Sequence, residues 1–412
     1  MEYGLIGMPL KHSFSGILHP KLFDYKYELC EIEKESLDAF FKAKDFKGIN
    51  VTIPYKKEVM RYLDFIDDKA REIGAVNTVV NKDGKLYGYN TDFLGLKALL
   101  LKNGIEIKGK KVLILGSGGT SDTALAVASD LGALGILRVS RSSRDGFITY
   151  SEAQSDYSDA EIIINATPCG MYPNTDQTPI DISAFKNLVA VCDVIYNPLC
   201  SKLVVEAKKR GIKAVGGLYM LVAQASAAGE KFLNTTVAKE KSDEVYKELL
   251  KQKQNIVLIG MPSSGKTTVG TALSALTGKT FIDSDECIKN IIGMPIADYF
   301  KEYGEEKFRN VESRVIKELS LMQNAVLSTG GGVILRPENI DFLKQNGTVF
   351  FLDRPLDLLI TTSDRPLSSN KEDLKKRYNE RYELYKSSAD ICIDGSASIE
   401  KVAKLIFEEF SK

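Results

Sequence analysis

The sequence predicts an α/β protein made of several units. Three apolar runs with the character of β-strands lead directly into glycine-rich turns: residues 3–6 before Gly7, 111–115 before the turn 116–119, and 256–259 before Gly260. Each run begins an alternation of strand-like and helical patterns, which is typical of parallel sheets covered by helices. A length of 412 residues is consistent with about three domains.

The charge balance and the cysteine pattern exclude several classes of protein. Lys plus Arg and Asp plus Glu each number 55, which argues against bulk binding of nucleic acid but leaves small anionic ligands open. The six cysteines contain no CxxC pair and predict neither a zinc site nor a disulfide framework. Without a signal-like N-terminus or an apolar stretch of roughly 20 residues, we expect a cytoplasmic protein with no membrane partner.

A phosphate-binding motif follows the third apolar run. Residues 260–267 match G-x-x-x-x-G-K-[ST] and lie between a strand-like run and a helical pattern at 267–276. The backbone N–H groups of such a loop cradle phosphate, Lys266 neutralises the outer phosphates, and the Thr267 hydroxyl suits Mg²⁺. The motif therefore predicts binding of a nucleoside triphosphate and transfer of its terminal phosphate, with a chance glycine-rich turn as the weaker alternative.

Four further features favour a kinase that acts on a small molecule. One is Arg365, which lies in a polar, Ser/Thr-rich stretch that could be a lid and from which an arginine can reach the transferring phosphate. Asp283 and Asp285 end the next strand-like run and could serve a metal and an acceptor hydroxyl, or could be solvated carboxylates at a helix start. Arg309 and Glu312 are three residues apart in a helical pattern and could equally form a surface ion pair. The three glycines at 330–332 follow another apolar run and allow a ligand to approach the backbone closely.

The C-terminal part, from residue 255 to 412, resembles the shikimate kinases. The motifs that carry this resemblance occur in the family's order: the P-loop, Asp283-x-Asp285, Gly304-Glu-x-x-Phe-Arg309-x-x-Glu312, Gly330-Gly-Gly, Arg365-Pro-Leu and Glu380-Arg381-x-x-x-Tyr385. The resemblance implies a P-loop domain of the nucleoside-monophosphate-kinase type that uses ATP and Mg²⁺ to phosphorylate shikimate. It also implies a shortened lid around Arg365, because residues 358–364 contain no further arginine.

The same resemblance implies roles for particular residues of this part. ATP would be bound by Gly260, Ser263, Ser264, Gly265, Lys266, Thr267, Thr268 and Arg365. Shikimate would be bound by Asp285, Arg309, Gly331, Gly332 and Arg381, and Mg²⁺ by Thr267 and Asp283. Lys266 and Arg365 would be catalytic, and the guanidinium forks of Arg309 and Arg381 would grip the carboxylate of shikimate.

The second glycine-rich turn indicates a dinucleotide. Residues 116–119 read Gly-Ser-Gly-Gly before a helical pattern at 122–131, although a plain βα turn gives the same pattern. The next strand-like run, 136–139, ends in Ser-Arg-Ser at 140–142, where an arginine in place of an acid favours NADP over NAD. An exposed arginine at a strand end is the alternative. Thr167 follows a further run and should lie at the carboxyl edge of the sheet, where ligands of doubly wound folds bind.

Polar clusters precede this dinucleotide unit. They surround Ser13, Thr52, Asn77 and Asp92, each beside a strand-like run. A turn or a cap explains any one of them equally well. Together they offer hydroxyl, amide, carboxylate and ammonium groups, which suit a small polyhydroxylated ligand.

These clusters, with Gly217-Leu-x-Met-Leu-x-x-Gln224, are the motifs of shikimate dehydrogenases, and the resemblance covers residues 1–237. It implies reversible hydride transfer between NADPH and 3-dehydroshikimate, with Lys56 and Asp92 as the catalytic pair. Shikimate would be bound by Ser13, Ser15, Thr52, Lys56, Asn77, Asp92, Tyr196 and Gln224. NADP would be bound by Gly116, Ser117, Gly118, Gly119, Ser140, Arg141, Ser142, Thr167 and Gly217.

The two resemblances predict four segments. They are a substrate domain at 1–95 completed by 218–237, a Rossmann NADP domain at 96–217, a partly helical linker at 238–254 and a kinase domain at 255–412. The prediction is a bifunctional enzyme whose first half makes the shikimate that the second half phosphorylates. Three alternatives remain. The first half could prefer quinate, and the second half could phosphorylate another polyol. The second half could also be a weak or inactive kinase-like module. Monomer and homodimer both remain open.

Overall fold

The computed structural model describes residues 1–10, 14–359 and 371–412. They divide into an N-terminal unit, residues 1–197 and 203–249, and a C-terminal unit, residues 198–202 and 250–412. In the described part of the chain, no helix has the length and apolar character that crossing a membrane requires.

The first sheet of the N-terminal unit is mixed. Its six strands are β1 (Tyr3–Gly7), β2 (Glu28–Glu31), β3 (Gly48–Val51), β4 (Phe65–Ile66), β5 (Thr78–Lys82) and β6 (Lys85–Tyr89), in the order β2-β1-β3-β5-β6-β4. β1 pairs in parallel with β2 and β3, whereas β5 is antiparallel to β3 and β6. A two-residue turn closes β5 onto β6, and Asp83 and Gly84 both have positive φ, as such a turn requires.

Four helices accompany this sheet: α1 (Ser15–Leu22), α2 (Leu37–Ala43), α3 (Asp68–Ile73) and α4 (Thr91–Lys102). Asn90 begins α4 by accepting the backbone N–H of Phe93 on its side-chain oxygen. This cap fixes the chain direction directly after β6 and places Asp92 in the first turn of the helix.

The second sheet of the N-terminal unit has all its strands parallel. They are β7 (Lys111–Leu115), β8 (Gly135–Ser140), β9 (Ile148–Thr149), β10 (Ile162–Asn165), β11 (Ala190–Asp193) and β12 (Lys213–Val215). Their order is β12-β11-β10-β7-β8-β9. Counted from β7 as strand one, this is the 3-2-1-4-5-6 order of a dinucleotide-binding sheet, in which the strand order reverses between β7 and β10. The doubly wound fold predicted from the sequence is confirmed.

The helices of this second half are α5 (Gly119–Asp130), α6 (Tyr150–Ser155), α7 (Lys202–Lys209) and α8 (Leu218–Leu233). The last of them returns to the first half, where α8 packs on α1, α4 and strands β3 and β5. The observed bounds follow the sequence closely. Strand β7 has the predicted limits, and α5 begins three residues before the predicted start of its helical pattern.

The segment predicted to be a partly helical linker is one continuous helix, α9 (Lys239–Lys253). Val245 and Leu249 are buried on it. Asp243 accepts hydrogen bonds from the Tyr219 hydroxyl at 3.0 Å and from the Lys102 ammonium at 2.7 Å. The hydroxyls of Ser226 and Ser242 lie 2.8 Å apart. The prediction of a partly helical segment therefore underestimated both the helix and its packing.

The C-terminal unit is built on a parallel five-stranded sheet. Its strands are β13 (Asn255–Ile259), β14 (Thr280–Asp283), β15 (Ala325–Ser328), β16 (Gly347–Asp353) and β17 (Ile391–Asp394), in the order β14-β15-β13-β16-β17. Every residue of β13 is buried, and its side chains alternate between two hydrophobic clusters, one on each face of the sheet. This burial on both faces explains the continuous apolar run in the sequence.

Its helices are α10 (Lys266–Thr277), α11 (Ser284–Ile292), α12 (Ile296–Ser320), α13 (Pro337–Asn346), α14 (Lys371–Ser388) and α15 (Ile399–Phe410). Gly304 interrupts the helical backbone inside α12 with a φ of 81° and a ψ of 168°. The residues that follow this kink form a regular helix that carries Arg309 and Glu312.

Candidate active sites

The phosphate-binding loop connects β13 to α10. Gly260, Ser263 and Gly265 all have positive φ, which explains why glycine occupies two of these positions. The Lys266 ammonium donates to the carbonyl oxygens of Gly260 at 2.8 Å and Met261 at 2.9 Å, so it lies inside the loop. The loop therefore surrounds a cation at the N-terminus of a helix, which suits phosphate.

A hydroxyl and a carboxylate meet beside this loop. The Thr267 hydroxyl donates to Asp283 Oδ2 at 2.9 Å. Asp283 ends β14, and its other oxygen accepts the backbone N–H of Asp285 at 3.0 Å, so the carboxylate is fixed at the start of α11. Because Mg²⁺ prefers oxygen ligands and retains several waters, this pair fits one side of a magnesium site on bound phosphates.

One cavity of about 790 Å³ adjoins both features. Its lining includes Ser263, Thr268, Asp285, Arg309, the three glycines at 330–332 and Arg381. The acceptor residues predicted from the sequence and the phosphate loop therefore face one shared space.

Arg309 lies in this cavity and not on the surface. Its side chain is 8% exposed, and its Nη1 donates to Glu312 Oε2 at 2.7 Å. Nε and Nη2 both donate to Glu305 Oε1, at 3.2 Å and 2.9 Å. Burial opposes the charge of Arg309, but the carboxylates of Glu312 and Glu305 raise the pKa of the guanidinium above its ordinary value. The alternative of a surface ion pair is therefore wrong.

The three-glycine turn brings backbone close to these side chains. A Cβ at Gly332 would lie 2.1 Å from Arg309 Nη1, and a Cβ at Gly330 would lie 2.5 Å from Asp285 Oδ1. The Gly331 carbonyl accepts Arg381 Nη1 at 3.1 Å and the Tyr385 hydroxyl at 2.5 Å. A side chain at Gly330 or Gly332 would therefore displace Asp285 or Arg309 from its present position.

Sequence reasoning did not assign a role to three residues at this site. Tyr385 is fully buried, and burial raises the pKa of its hydroxyl. Glu312 is also buried, which raises the pKa of its carboxyl although Arg309 opposes the shift. Arg377 lines the cavity as well. The available signal was helical spacing, because Arg377 and Tyr385 lie four residues either side of Arg381. Arg365, assigned from the resemblance, lies outside the described residues.

In the N-terminal unit, the Lys56 ammonium lies 2.5 Å from Asp92 Oδ2. Lys56 is on the segment that follows β3, and its carbonyl accepts the backbone N–H of Val76 at 2.8 Å. Both side chains of the pair are partly exposed, at 27% for Lys56 and 18% for Asp92. The structure therefore brings the predicted catalytic pair into direct contact and leaves it open to a ligand.

Asn77 is fixed beside this pair. Its Oδ1 accepts from the Thr91 backbone N–H at 2.7 Å, from the Thr91 hydroxyl at 3.2 Å and from the Thr78 hydroxyl at 3.1 Å. Its backbone carbonyl accepts the Val51 N–H at 2.8 Å. Three donors on one oxygen hold the carboxamide in a single orientation, as a ligand-binding residue needs.

A buried network that was not predicted supports Asn77 from behind. Asn50 Nδ2 donates to the Asn77 carbonyl at 3.2 Å and to the Thr78 hydroxyl at 3.0 Å, while Asn50 Oδ1 accepts from the Tyr27 hydroxyl at 2.7 Å. The Tyr27 ring stacks on His19 at 3.9 Å with an interplanar angle of 4°. Burial lowers the pKa of His19 to about 3.

The remaining predicted shikimate contacts lie on several elements. Thr52 follows β3, and its N–H donates to the Ile6 carbonyl at 2.9 Å. Ser15 begins α1 and is buried, and Tyr196 packs edge-on against Phe14. Gln224 lies on α8 and packs close to Gly95, which is one turn after Asp92 in α4. A Cβ built at Gly95 would lie 2.9 Å from the Gln224 Cβ. Ser13 lies outside the described residues.

The predicted dinucleotide contacts gather at the switch point of the second sheet. Gly116 follows β7, Thr167 follows β10, and a Cβ at Gly116 would lie 3.0 Å from Thr167 Cγ2. A Cβ at Gly118 or Gly119 would meet no described atom within 4 Å, so the start of α5 is open to a ligand. Ser117 completes this turn, as predicted.

The other predicted dinucleotide contacts follow β8 and β12 of the same sheet. Arg141 is exposed at the end of β8, and the Ser140 hydroxyl donates to the Ser142 carbonyl. The Gly217 backbone approaches Val194 so closely that a Cβ would lie 2.1 Å from the Val194 carbonyl oxygen. An exposed arginine here is compatible both with a 2′-phosphate contact and with a plain strand end.

Fold and sites together define a dinucleotide-dependent dehydrogenase joined to a P-loop phosphotransferase. Family models agree: one described as shikimate dehydrogenase substrate binding domain matches residues 5–79, and one described as shikimate kinase matches residues 262–411. The shikimate dehydrogenase (NADP(+)) of Clostridium beijerinckii is 43% identical over 245 residues, covering 55% of this chain and 90% of that protein.

Solved structures resemble the N-terminal unit in the same way. A chorismate mutase/shikimate 5-dehydrogenase fusion protein from Clostridium acetobutylicum is 39% identical with a TM-score of 0.57, covering 60% of this chain and 96% of that one. Shikimate 5-dehydrogenase from Thermus thermophilus, in complex with NADP(H) and shikimate, is 27% identical with a TM-score of 0.55, covering 60% and 99%. The chain belongs to the shikimate dehydrogenase family and carries a shikimate kinase domain after it.

Proposed function

We propose that the chain catalyses two consecutive reactions: reduction of 3-dehydroshikimate to shikimate with NADPH, and phosphorylation of the shikimate 3-hydroxyl with ATP and Mg²⁺. One observation carries the proposal. The Lys56–Asp92 contact and the cavity around Lys266 and Arg309 occur in one chain, and that chain is similar to two enzyme families that share one metabolite.

For the first reaction, the chain supplies position and a proton. NADPH, when bound, supplies the hydride that adds to the carbonyl carbon. Lys56 donates a proton to the oxygen that becomes the 3-hydroxyl, while Asp92 holds the ammonium in line. Asn77, whose carboxamide is held by Thr78 and Thr91, contacts a substrate hydroxyl. Ser15, Thr52, Tyr196 and Gln224, with Ser13, complete the proposed set.

The cofactor would lie across the switch point. The turn 116–119 and the N-terminus of α5 suit a pyrophosphate, because open backbone N–H groups meet a helix dipole there. Arg141 would bind the 2′-phosphate that distinguishes NADP from NAD. Thr167 and Gly217 would border the nicotinamide side.

For the second reaction, the chain orients two anions and a hydroxyl. ATP, when bound, supplies the phosphoryl group. Lys266 and the loop N–H groups hold its phosphates, and Thr267 and Asp283 hold Mg²⁺. Asp285 accepts the hydrogen bond of the acceptor hydroxyl, and Arg309 and Arg381 face the acceptor carboxylate. Arg365 is assigned to the transferring phosphate from its polar sequence surroundings and from the resemblance.

We also propose the domain limits predicted from the sequence. The substrate domain is 1–95 with 218–237, the Rossmann domain is 96–217, and the kinase domain is 255–412. The packing of α8 against α1 and α4 supports the return of 218–237 to the substrate domain. Segment 238–254 remains a separate connecting segment in this division, although it is helical.

A crossed pair of substitutions tests the two-site proposal. Lys56→Ala should lower dehydrogenase kcat about 10²- to 10⁴-fold, the range for removal of a general acid, and leave the kinase unchanged. Lys266→Ala should abolish kinase turnover and leave the dehydrogenase unchanged. Both rates are measured on the same purified chain, with circular dichroism to verify folding. Loss of both activities from either change in a folded protein would contradict the proposal.

A further inference from the structure

Helix α14 presents a row of side chains to the kinase cavity. Arg377, Arg381 and Tyr385 are spaced four residues apart, so they lie on one side of the helix. Arg381 and Tyr385 both donate to the Gly331 carbonyl, and Arg377 and Arg381 both line the cavity. Arg377 therefore lies one turn from a proposed contact to the acceptor carboxylate.

Carboxylates already pair with two of the cations that line the cavity. Arg309 is bonded to Glu312 at 2.7 Å and to Glu305 at 2.9 Å, so carboxylates already balance its charge. Lys289, another basic residue of the lining, pairs with Glu286 at 2.5 Å. An anionic acceptor held by Arg309 alone would approach these carboxylates, and repulsion would oppose binding.

Lys266 does not supply the missing charge. Its ammonium is inside the phosphate loop, on the carbonyls of Gly260 and Met261, where it serves the phosphate donor. Among the described residues of the lining, the remaining basic side chains are Arg377 and Arg381 of α14. Two guanidinium groups one turn apart on a helix suit a carboxylate, because each guanidinium can donate a pair of hydrogen bonds to the carboxylate oxygens.

We propose that Arg377 binds the acceptor carboxylate together with Arg381 and so determines the preference of the kinase for an acidic acceptor. The inference rests on the proposed kinase function. It assigns Arg377 to the acceptor and not to ATP.

The test compares Arg377→Ala with Lys376→Ala in the full chain. Lys376 is exposed on the same helix, so its removal deletes the same charge away from the cavity. Arg377→Ala should raise the KM for shikimate about ten- to a hundredfold, the range for loss of a charge-assisted hydrogen bond. The KM for ATP and turnover of shikimate methyl ester, which lacks the carboxylate charge, should stay unchanged. Arg377→Lys should restore the KM partly, since lysine keeps the charge without the fork.

Three outcomes would overturn the inference. They are equal effects of Arg377→Ala and Lys376→Ala, an equal loss for shikimate and its methyl ester, and a raised KM for ATP. If the wild-type chain shows no kinase turnover, the proposed function fails separately. Calorimetry with shikimate and Mg-ADP then decides: two sites should appear, and Arg377→Ala should weaken one. No second site in the wild type would overturn both proposals.

Discussion

Lys56 and Lys266 are the same residue type, and their surroundings give them different chemistry. Lys56 meets the Asp92 carboxylate at a partly exposed position, where it can exchange a proton with a ligand. Lys266 is buried and donates to two loop carbonyls, an arrangement that holds a fixed positive charge for phosphate. The P-loop pattern identified Lys266 directly, whereas Lys56 could be identified only through a family resemblance.

Arg309 marks the limit of sequence reasoning for single residues. Its spacing from Glu312 fitted a surface pair and a buried site equally well, and only burial decided between them. Tyr27 and Asn50 were missed for a related reason. They are 23 residues apart, and the hydrogen bond that joins them depends on which strands are neighbours in the sheet. No local pattern encodes such a contact.

Buried His19 predicts a pH dependence of stability. Its pKa is about 3 in the folded protein against an ordinary 6.5, so between these values the unfolded chain binds more protons. The contribution of neutral His19 to the free energy of unfolding is complete above about pH 6.5, and it is lost as the pH falls towards 3. The stability of the wild type relative to His19→Phe should therefore fall by up to about 1.4 kcal/mol per pH unit below 6.5.

Urea unfolding of the N-terminal unit between about pH 7 and pH 5 measures this difference. The phenylalanine keeps an aromatic ring but cannot titrate or bond to the Tyr25 hydroxyl, which adds a constant offset at every pH. Parallel stability curves for the two proteins would show that His19 is not the titrating group.

At the scale of elements, strands were predicted better than the helix before the kinase domain. β7 and β13 lie in the interior of parallel sheets, so their sequences are continuous apolar runs. α9 is rich in Lys and Glu and has few apolar residues, so its sequence resembles a solvated connector. Its packing depends on Val245 and Leu249, together with polar contacts to α4 and α8 that spacing alone does not reveal.

Leu249→Ala tests whether α9 belongs to the folded N-terminal unit. The side chain is 3% exposed, and large-to-small changes at such positions cost about 2–5 kcal/mol. Denaturant unfolding, monitored through dehydrogenase activity, should show a free energy of unfolding that is lower by this amount. Lys247→Ala, an exposed change on the same helix, should be nearly neutral. Equal stabilities of the two variants would mean that α9 acts as an undocked connector.

Among the described residues, the N-terminal unit contains the Lys56–Asp92 pair and the C-terminal unit contains the cavity beside Lys266. Each lies at the carboxyl ends of strands in a parallel or mixed sheet, next to a helix N-terminus or a glycine turn. Two of the three glycine-rich turns, 116–119 and 260–267, indicated nucleotide binding in the sequence, because phosphate binding demands a local pattern. The six-stranded mixed sheet of the substrate half could not be predicted, since its order depends on pairings between distant strands.

One coupled assay decides whether the chain makes shikimate and then phosphorylates it. Wild-type protein receives 3-dehydroshikimate, NADPH and Mg-ATP, and the products are separated and quantified over time. We expect NADPH oxidation followed by formation of shikimate 3-phosphate, with ADP formed in an amount equal to the phosphate ester. Accumulation of shikimate without its phosphate, or ATP consumption that is independent of added 3-dehydroshikimate, would contradict it.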